Sequence, residues 1–506
     1  MSAEQRDYQL LHKISRSIYT LQGISSLLDW DQETYMPEGA AANRAEQREL
    51  IAGLTHQKRT SSAFANALAR LVNLDTGSLR ALGLSEPQNA ALKEWRRDYL
   101  RERVLPKRFV EKFAKLSSEA IQVWKHAREK NDFKSFVPYL EQIVAYNQKK
   151  AELLGYQAHP YDALLDHYEP GITTHEIDKL FSHLREGLTP LLKKIQNSKP
   201  ANDNFLHGEF PHHKQLEFAR LLLKAIPYDT TRGRLDLSAH PFSSASHPTD
   251  SRITTRIHES SLMSNIFAVL HEAGHGLYEM GLPVEQFGSP LGEAISLAMH
   301  ESQSRFWETR IGHSKPFWQY FFPILKEQFP YQLKDVTLND FYVAINKVEP
   351  SYIRIEADEV TYSFHVMLRF ELERALIEGS LTAHEIPEAW NARMKTLLGI
   401  VPHSDKEGCL QDIHWAGGMF GYFPTYVLGN LYAAHLFQGF SKEHPNWEER
   451  VATGELGFIA NWLRHSVHQY GKQYRSRELL HKITGVPFSA NAYVTYLNEK
   501  YHKMTS

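Results

Sequence analysis

His271-Glu272-Ala273-Gly274-His275 sets two imidazoles four residues apart, with a carboxylate next to the first. On a helix, residues four apart lie about one turn apart on one face. Both rings can then reach one ion, and tetrahedral zinc suits such nitrogen donors. Glu272 falls one step round the helix, where it can contact a metal-bound water without being a ligand. The flanks agree with a helix: Met263, Ile266, Phe267, Leu270 and Leu277 recur at helical spacing, and Gly281 offers a stop. Glycine costs roughly 1 kcal/mol against alanine inside a helix. Gly274 and Gly276 therefore point to close approach by another element.

A catalytic zinc needs a third protein ligand and an open position. The longer pattern HExxHxxGxxH fails, because Tyr278 and Gly281 occupy its Gly and His places. Glu279 lies eight residues beyond His271, about 12 Å along the axis, which is too far for one ion. Residues 292–311 read as the next helix and offer Glu293, Glu301 and Glu308. The central place of Glu301 after the apolar run 294–299 favours it, with Glu293 and Glu308 as alternatives.

The elements that must position these groups read as mainly α. In the first 200 residues, Leu11, Ile14, Ile18, Leu21, Ile24 and Leu28 mark one helical stripe. Ser85-Glu86-Pro87 reads as a helix start, and Thr173 with Glu176 and Thr382 with Glu385 as capping boxes. Residues 96–115 carry many Arg and Lys interleaved with acids, a solvated face with local ion pairs. Between 228 and 257 the pattern changes, and Arg232–Leu237 and Arg252–Ile257 read as two short strands. The expectation is a large multi-helix fold with a small β-sheet insert near 228–257. It is read as one domain over 1–506, with a helical N-terminal region to about 200 and a catalytic core at about 228–430.

Composition excludes several partners. Lys and Arg number 57 against 59 acids, so there is no global charge footprint for nucleic acid or an anionic membrane. Cys409 is the single cysteine, which rules out an internal disulfide and suits a reducing compartment. The N-terminus has no apolar signal core, and a cytoplasmic location is expected. Residues 413–441 contain no Asp, Glu, Lys or Arg, yet Gly417, Gly418, Gly421, Pro424 and Gly429 interrupt them. They read as buried backbone and not as a membrane span.

Further motifs stand in order along the chain. They are Trp30–Pro37, His240-Pro241-Phe242, Asp250–Thr254, the HExxH at 271–275, and His300-Glu301-Ser302-Gln303. Then come Ile353–Asp358, Gly408–Trp415 and Gly421–Tyr426. Together they resemble the carboxypeptidase Taq family of zinc metallocarboxypeptidases. The resemblance implies a zinc-peptidase fold with a deep groove, covered by the region of about 1–200, and a homodimer. It implies release of C-terminal residues one at a time from peptides with a free C-terminus. On it, His271, His275 and Glu301 match the ligands of one Zn2+ per subunit, with Co2+ or Mn2+ as possible substitutes. Glu272 matches the general base.

An exopeptidase must bind a free α-carboxylate, and arginine does so with a bidentate fork. Arg354 and Arg252 are the candidates, with Asp358 and Asp250 as local ion-pair partners; the resemblance favours Arg354. His240, His414, Tyr422 and Tyr426 are further candidates to line the substrate site. Rival readings are an endo- or dipeptide-releasing zinc oligopeptidase and a non-catalytic zinc-binding helical protein. Glu272 argues against the latter, since holding zinc does not need it.

Overall fold

The apolar spacing around the HExxH segment yields one helix, Leu262–Gly281. It belongs to a computed structural model that describes residues 2–505, with twenty α-helices and one three-stranded sheet. Two short 3-10 turns, Val284–Gln286 and Pro290–Gly292, separate it from the next helix, Leu297–Arg305. The reading of 292–311 as one helix is corrected here. Ser296 caps the start, its hydroxyl accepting from Met299 N–H at 3.0 Å. After Arg305 the chain widens into a π-helix, Phe306–Gly312, a rare form found mostly as single-turn bulges.

The sheet has three strands where two were expected: β1 Gly233–Leu237, β2 Ser243–His247 and β3 Asp250–Thr255. β3 is central, parallel to β1 and antiparallel to β2, with Arg234 beside Arg252. The sequence of β2, Ser-Ser-Ala-Ser-His, has no apolar alternation and so gives no strand signal. The N-terminal helix Ala3–Thr34 lies over β2, and its Trp30 ring covers the guanidinium of Arg252 at 4.4 Å. Of the expected stripe, Leu11 and Ile18 are buried, whereas Ile24 is exposed.

The helix start at Ser85 forms as read, with a capping box to Gln88 that the reading did not include, and the capping box at Thr173 forms as read. That at Thr382 opens a 3-10 turn leading into the helix Ile386–Leu398. In the basic run, Lys107–Glu111 and Lys115–Glu119 are local pairs. Arg97 and Arg101 depart from that reading, both reaching Asp166 on another element, at 2.9 and 2.8 Å. One large apolar core extends from Leu116 to Tyr501, and a smaller one gathers Leu11, Phe64, Leu68, Leu92 and Trp95. The charge-free stretch supplies the largely buried helix Pro424–Glu443. Among the described residues, no helix is long and apolar enough to cross a membrane.

Candidate metal centre

His271 and His275 leave one face of the helix Leu262–Gly281, and Glu301 meets them from Leu297–Arg305. The two Nε2 atoms lie 3.7 and 3.4 Å from one oxygen, Glu301 Oε2. Among the described residues these three form the one group of His, Cys, Asp or Glu ligand atoms all within 4.8 Å of one another. Gly274 permits the meeting. A β-carbon there would stand 2.6 Å from both Gln303 O and Ser304 Cα, so a side chain would push the two helices apart.

Each ring is tied at its other nitrogen. His271 Nδ1 lies 2.7 Å from Glu308 Oε2. Arg305 Nη1 donates to the same oxygen at 2.9 Å, and Arg305 Nε donates to Asn430 Oδ1 at 2.6 Å. His275 Nδ1 lies 2.6 Å from His300 Nδ1, and His300 Nε2 lies 2.8 Å from Glu279 Oε1. Glu308, weighed as a ligand, meets the His271 ring at Nδ1, the nitrogen turned away from Glu301. Glu293 pairs with Lys472. With protons on the Nδ1 side, two imidazole lone pairs and one carboxylate oxygen face a common point. That donor set fits a divalent ion with an open position.

Electrostatics follow from burial and proximity. Burial and the neighbouring Glu301 and Glu308 push the Glu272 carboxyl up to about 7, against the pull of His271. Burial disfavours charge on His271, but Glu301 and Glu308 outweigh it and raise the ring to about 9. Burial and repulsion from His300 and His271 bring His275 down to about 4, in spite of Glu301.

A second buried group lies near the first. Arg354, 5% exposed, starts the 3-10 turn Arg354–Glu356. Its Nε and Nη2 donate to Asp412 Oδ1 at 3.1 and 2.8 Å, and its Nη1 donates to the Tyr362 hydroxyl at 3.0 Å. Its ion-pair partner is therefore Asp412. Asp358 instead accepts from the N–H groups of Val360 and Thr361, both at 2.9 Å. Arg369 Nε donates to the other Asp412 oxygen at 2.6 Å. Arg354 lies 4.7 Å over the Tyr426 ring, and Tyr426 OH is 3.1 Å from His414 Nε2. Tyr422 packs against both Tyr426 and His414. Burial first, then the field of Glu301, raises the Tyr422 phenol, which places this group within electrostatic reach of the cluster of His271, His275 and Glu301. Tyr362, absent from the sequence reading, bridges the two groups: its ring faces Arg305 at 5.2 Å and Arg354 at 5.9 Å. Nothing in its spacing marks it; only its tertiary place does.

Arg252 and His240 stand on the sheet side. Arg252 pairs with Asp250 at 2.8 and 3.1 Å, as its local sequence suggested. His240 is exposed in the loop between β1 and β2. Among the described residues, neither shares a hydrogen bond with His271, His275 or Glu301.

The family model described as carboxypeptidase Taq (M32) metallopeptidase matches residues 10–501. The chain is 43% identical over 505 residues to thermostable carboxypeptidase 1 of Thermus thermophilus, covering 98% of each. It is 36% identical over 502 residues to carboxypeptidase 1 of Bacillus subtilis, covering 99% of this chain and 98% of the relative. The M32 carboxypeptidase structure from Deinococcus radiodurans R1 matches with a TM-score of 0.95 at 34% identity, covering 99% of both chains. A Pyrococcus furiosus carboxypeptidase structure matches at 0.94 and 36% identity, again over 99% of both.

Proposed function

Since the chain belongs to the carboxypeptidase Taq (M32) metallopeptidase family, we propose that it removes C-terminal amino acids one at a time, with zinc held by His271, His275 and Glu301. One observation carries the reading: two imidazole Nε2 atoms converge on one carboxylate oxygen, with Glu272 buried on the same helix. When bound, the ion supplies Lewis acidity to a carbonyl and a lowered pKa to water.

Glu272 takes the proton of the attacking water and hands it to the leaving amine. Glu308 and Arg305 hold His271 in place. Arg354 anchors the substrate carboxylate. Arg354 and Arg369 share the single carboxylate of Asp412, which leaves positive charge in excess among buried aromatic rings. A substrate carboxylate supplies the missing negative charge there, and Tyr422, Tyr426 and His414 offer hydrogen-bonding groups beside it. Arg252 is less suited, being paired with Asp250 and stacked on Trp30. The resemblance also supports a homodimer, and the buried free Cys409 suits the cytoplasm.

Mass spectrometry of peptide digests, with and without a chelator, tests the reading. Products shortened residue by residue from the C-terminus are expected, and the chelator should stop them. Internal cleavage fragments, or equal cutting of C-terminally amidated peptides, would replace it with the endopeptidase reading.

A further inference from the structure

We infer that Glu279 and His300 form a positioning pair that sets the tautomer of His275 and aims its Nε2 lone pair at the metal position. The inference rests on His271, His275 and Glu301 being the metal ligands.

The argument is a count of hydrogens. His275 Nδ1 and His300 Nδ1 are 2.6 Å apart, so one hydrogen must lie between them. A neutral imidazole carries one N–H, and a coordinating nitrogen must be the bare one. As a ligand through Nε2, His275 therefore carries its hydrogen on Nδ1 and donates it to His300. His300 Nδ1 is then an acceptor, and the ring's own hydrogen sits on Nε2. That hydrogen meets Glu279 Oε1 at 2.8 Å, and an ionised carboxylate can only accept. In a neutral His300 the opposite order would set a bare Nε2 against a carboxylate oxygen, two lone pairs in contact. The acidic end of the chain thus fixes the direction of both hydrogen bonds.

The placement comes from the two elements that already carry ligands. Glu279 stands one turn beyond His275 on the same helix, and His300 directly precedes Glu301. Glu279 also lines a cavity of about 280 Å³ bounded by Tyr19 and Gln22 of the N-terminal helix. The distance that disqualified Glu279 as a ligand suits it to act through His300. His271 is served differently, by Glu308 directly.

The test uses the full chain and two readouts: the zinc dissociation constant by chelator competition, and the visible absorption bands of the Co2+-loaded protein. Outer partners of metal-bound histidines typically contribute about 10–100-fold in affinity. Glu279→Leu and His300→Phe should each weaken zinc by that order and alter the Co2+ bands. His300→Gln should recover most of the affinity, because its side-chain carbonyl accepts the His275 hydrogen unaided. In that background, adding Glu279→Leu should change little, a non-additivity that a general packing defect would not produce. Unchanged zinc affinity and Co2+ bands in Glu279→Leu would overturn the inference while leaving the metal site intact. An equal loss in both backgrounds would overturn it too. If the wild-type chain binds no stoichiometric zinc, the ligand assignment itself fails, and this inference with it.

Discussion

A β-carbon built on Gly429 would stand 2.5 Å from Cγ and 2.7 Å from Cβ of Glu301. The helix Pro424–Glu443 thus leaves out a side chain where the third ligand of the proposed site packs. Gly429→Ala should displace Glu301, cost about 1–3 kcal/mol by overpacking, and weaken zinc binding beyond the loss in stability. Thermal unfolding with and without metal, alongside a zinc titration, checks this. A fully stable variant with unchanged zinc affinity would show that Glu301 has room to spare.

Ligand and base should separate cleanly. His271→Ala, His275→Ala and Glu301→Ala should each lose both metal and activity while keeping helical circular dichroism, since most of the core lies elsewhere. Glu272→Gln should keep its metal and lose about 10²–10⁴-fold in kcat. Metal analysis and steady-state kinetics on the same preparations decide it. Full metal occupancy in Glu301→Ala would move the third ligand elsewhere.

The arginines predict a discrimination. A site built for a charged terminus rejects substrates lacking it, because its buried polar groups are left unpaired. C-terminal amidation should therefore nearly abolish cleavage. Arg354→Lys keeps the charge facing Asp412 but loses the fork, and should raise KM for free-acid peptides by about tenfold or more. Arg252→Ala should leave the preference for free acids over amides in place. The reverse ranking would make Arg252 the anchor.

Acid should destabilise the fold before the ordinary surface carboxylates titrate. Burial holds His365, His414 and His468 neutral, each brought down to about 3 from 6.5. Between those values the unfolded chain binds protons that the folded chain refuses, so stability falls as pH drops below about 6.5. Each histidine contributes at most about 1.4 kcal/mol per pH unit. Glu373, pushed up to about 7 by burial, opposes this in part of the same range. Denaturant midpoints of the metal-loaded protein should fall between pH 7 and 5, and a flat or rising trend would contradict the assignment.

The sequence made some of this geometry readable and hid the rest for physical reasons. His271 and His275 share one helix face and Glu272 lies one step round from it, so local periodicity suffices to group them. Glu301 could be favoured because the middle of a helix is where burial is commonest. The roles of Glu308, His300 and Glu279 could not be read, because each depends on how two helices cross at Gly274. Arg354 shows the same limit: its nearest acids in sequence are Glu356 and Asp358, yet its partner is Asp412, 58 residues away. In the fold, β1 and β3 carry side-chain signals, whereas β2 is a strand only because β3 offers it hydrogen bonds.

The π-helix Phe306–Gly312 makes the site sensitive to chain length. Arg305 and Glu308 meet at 2.9 Å where it begins, and its far end sets Gly312 against Leu270. Deleting Trp307 would return the segment towards ordinary α winding. Glu308 would then follow Arg305 by two residues instead of three, a spacing at which helical side chains do not face each other. Glu308 would swing off His271 although every functional side chain remained in the protein. Related chains should therefore accept exchanges of residue type along this segment far more readily than a gain or loss of one residue.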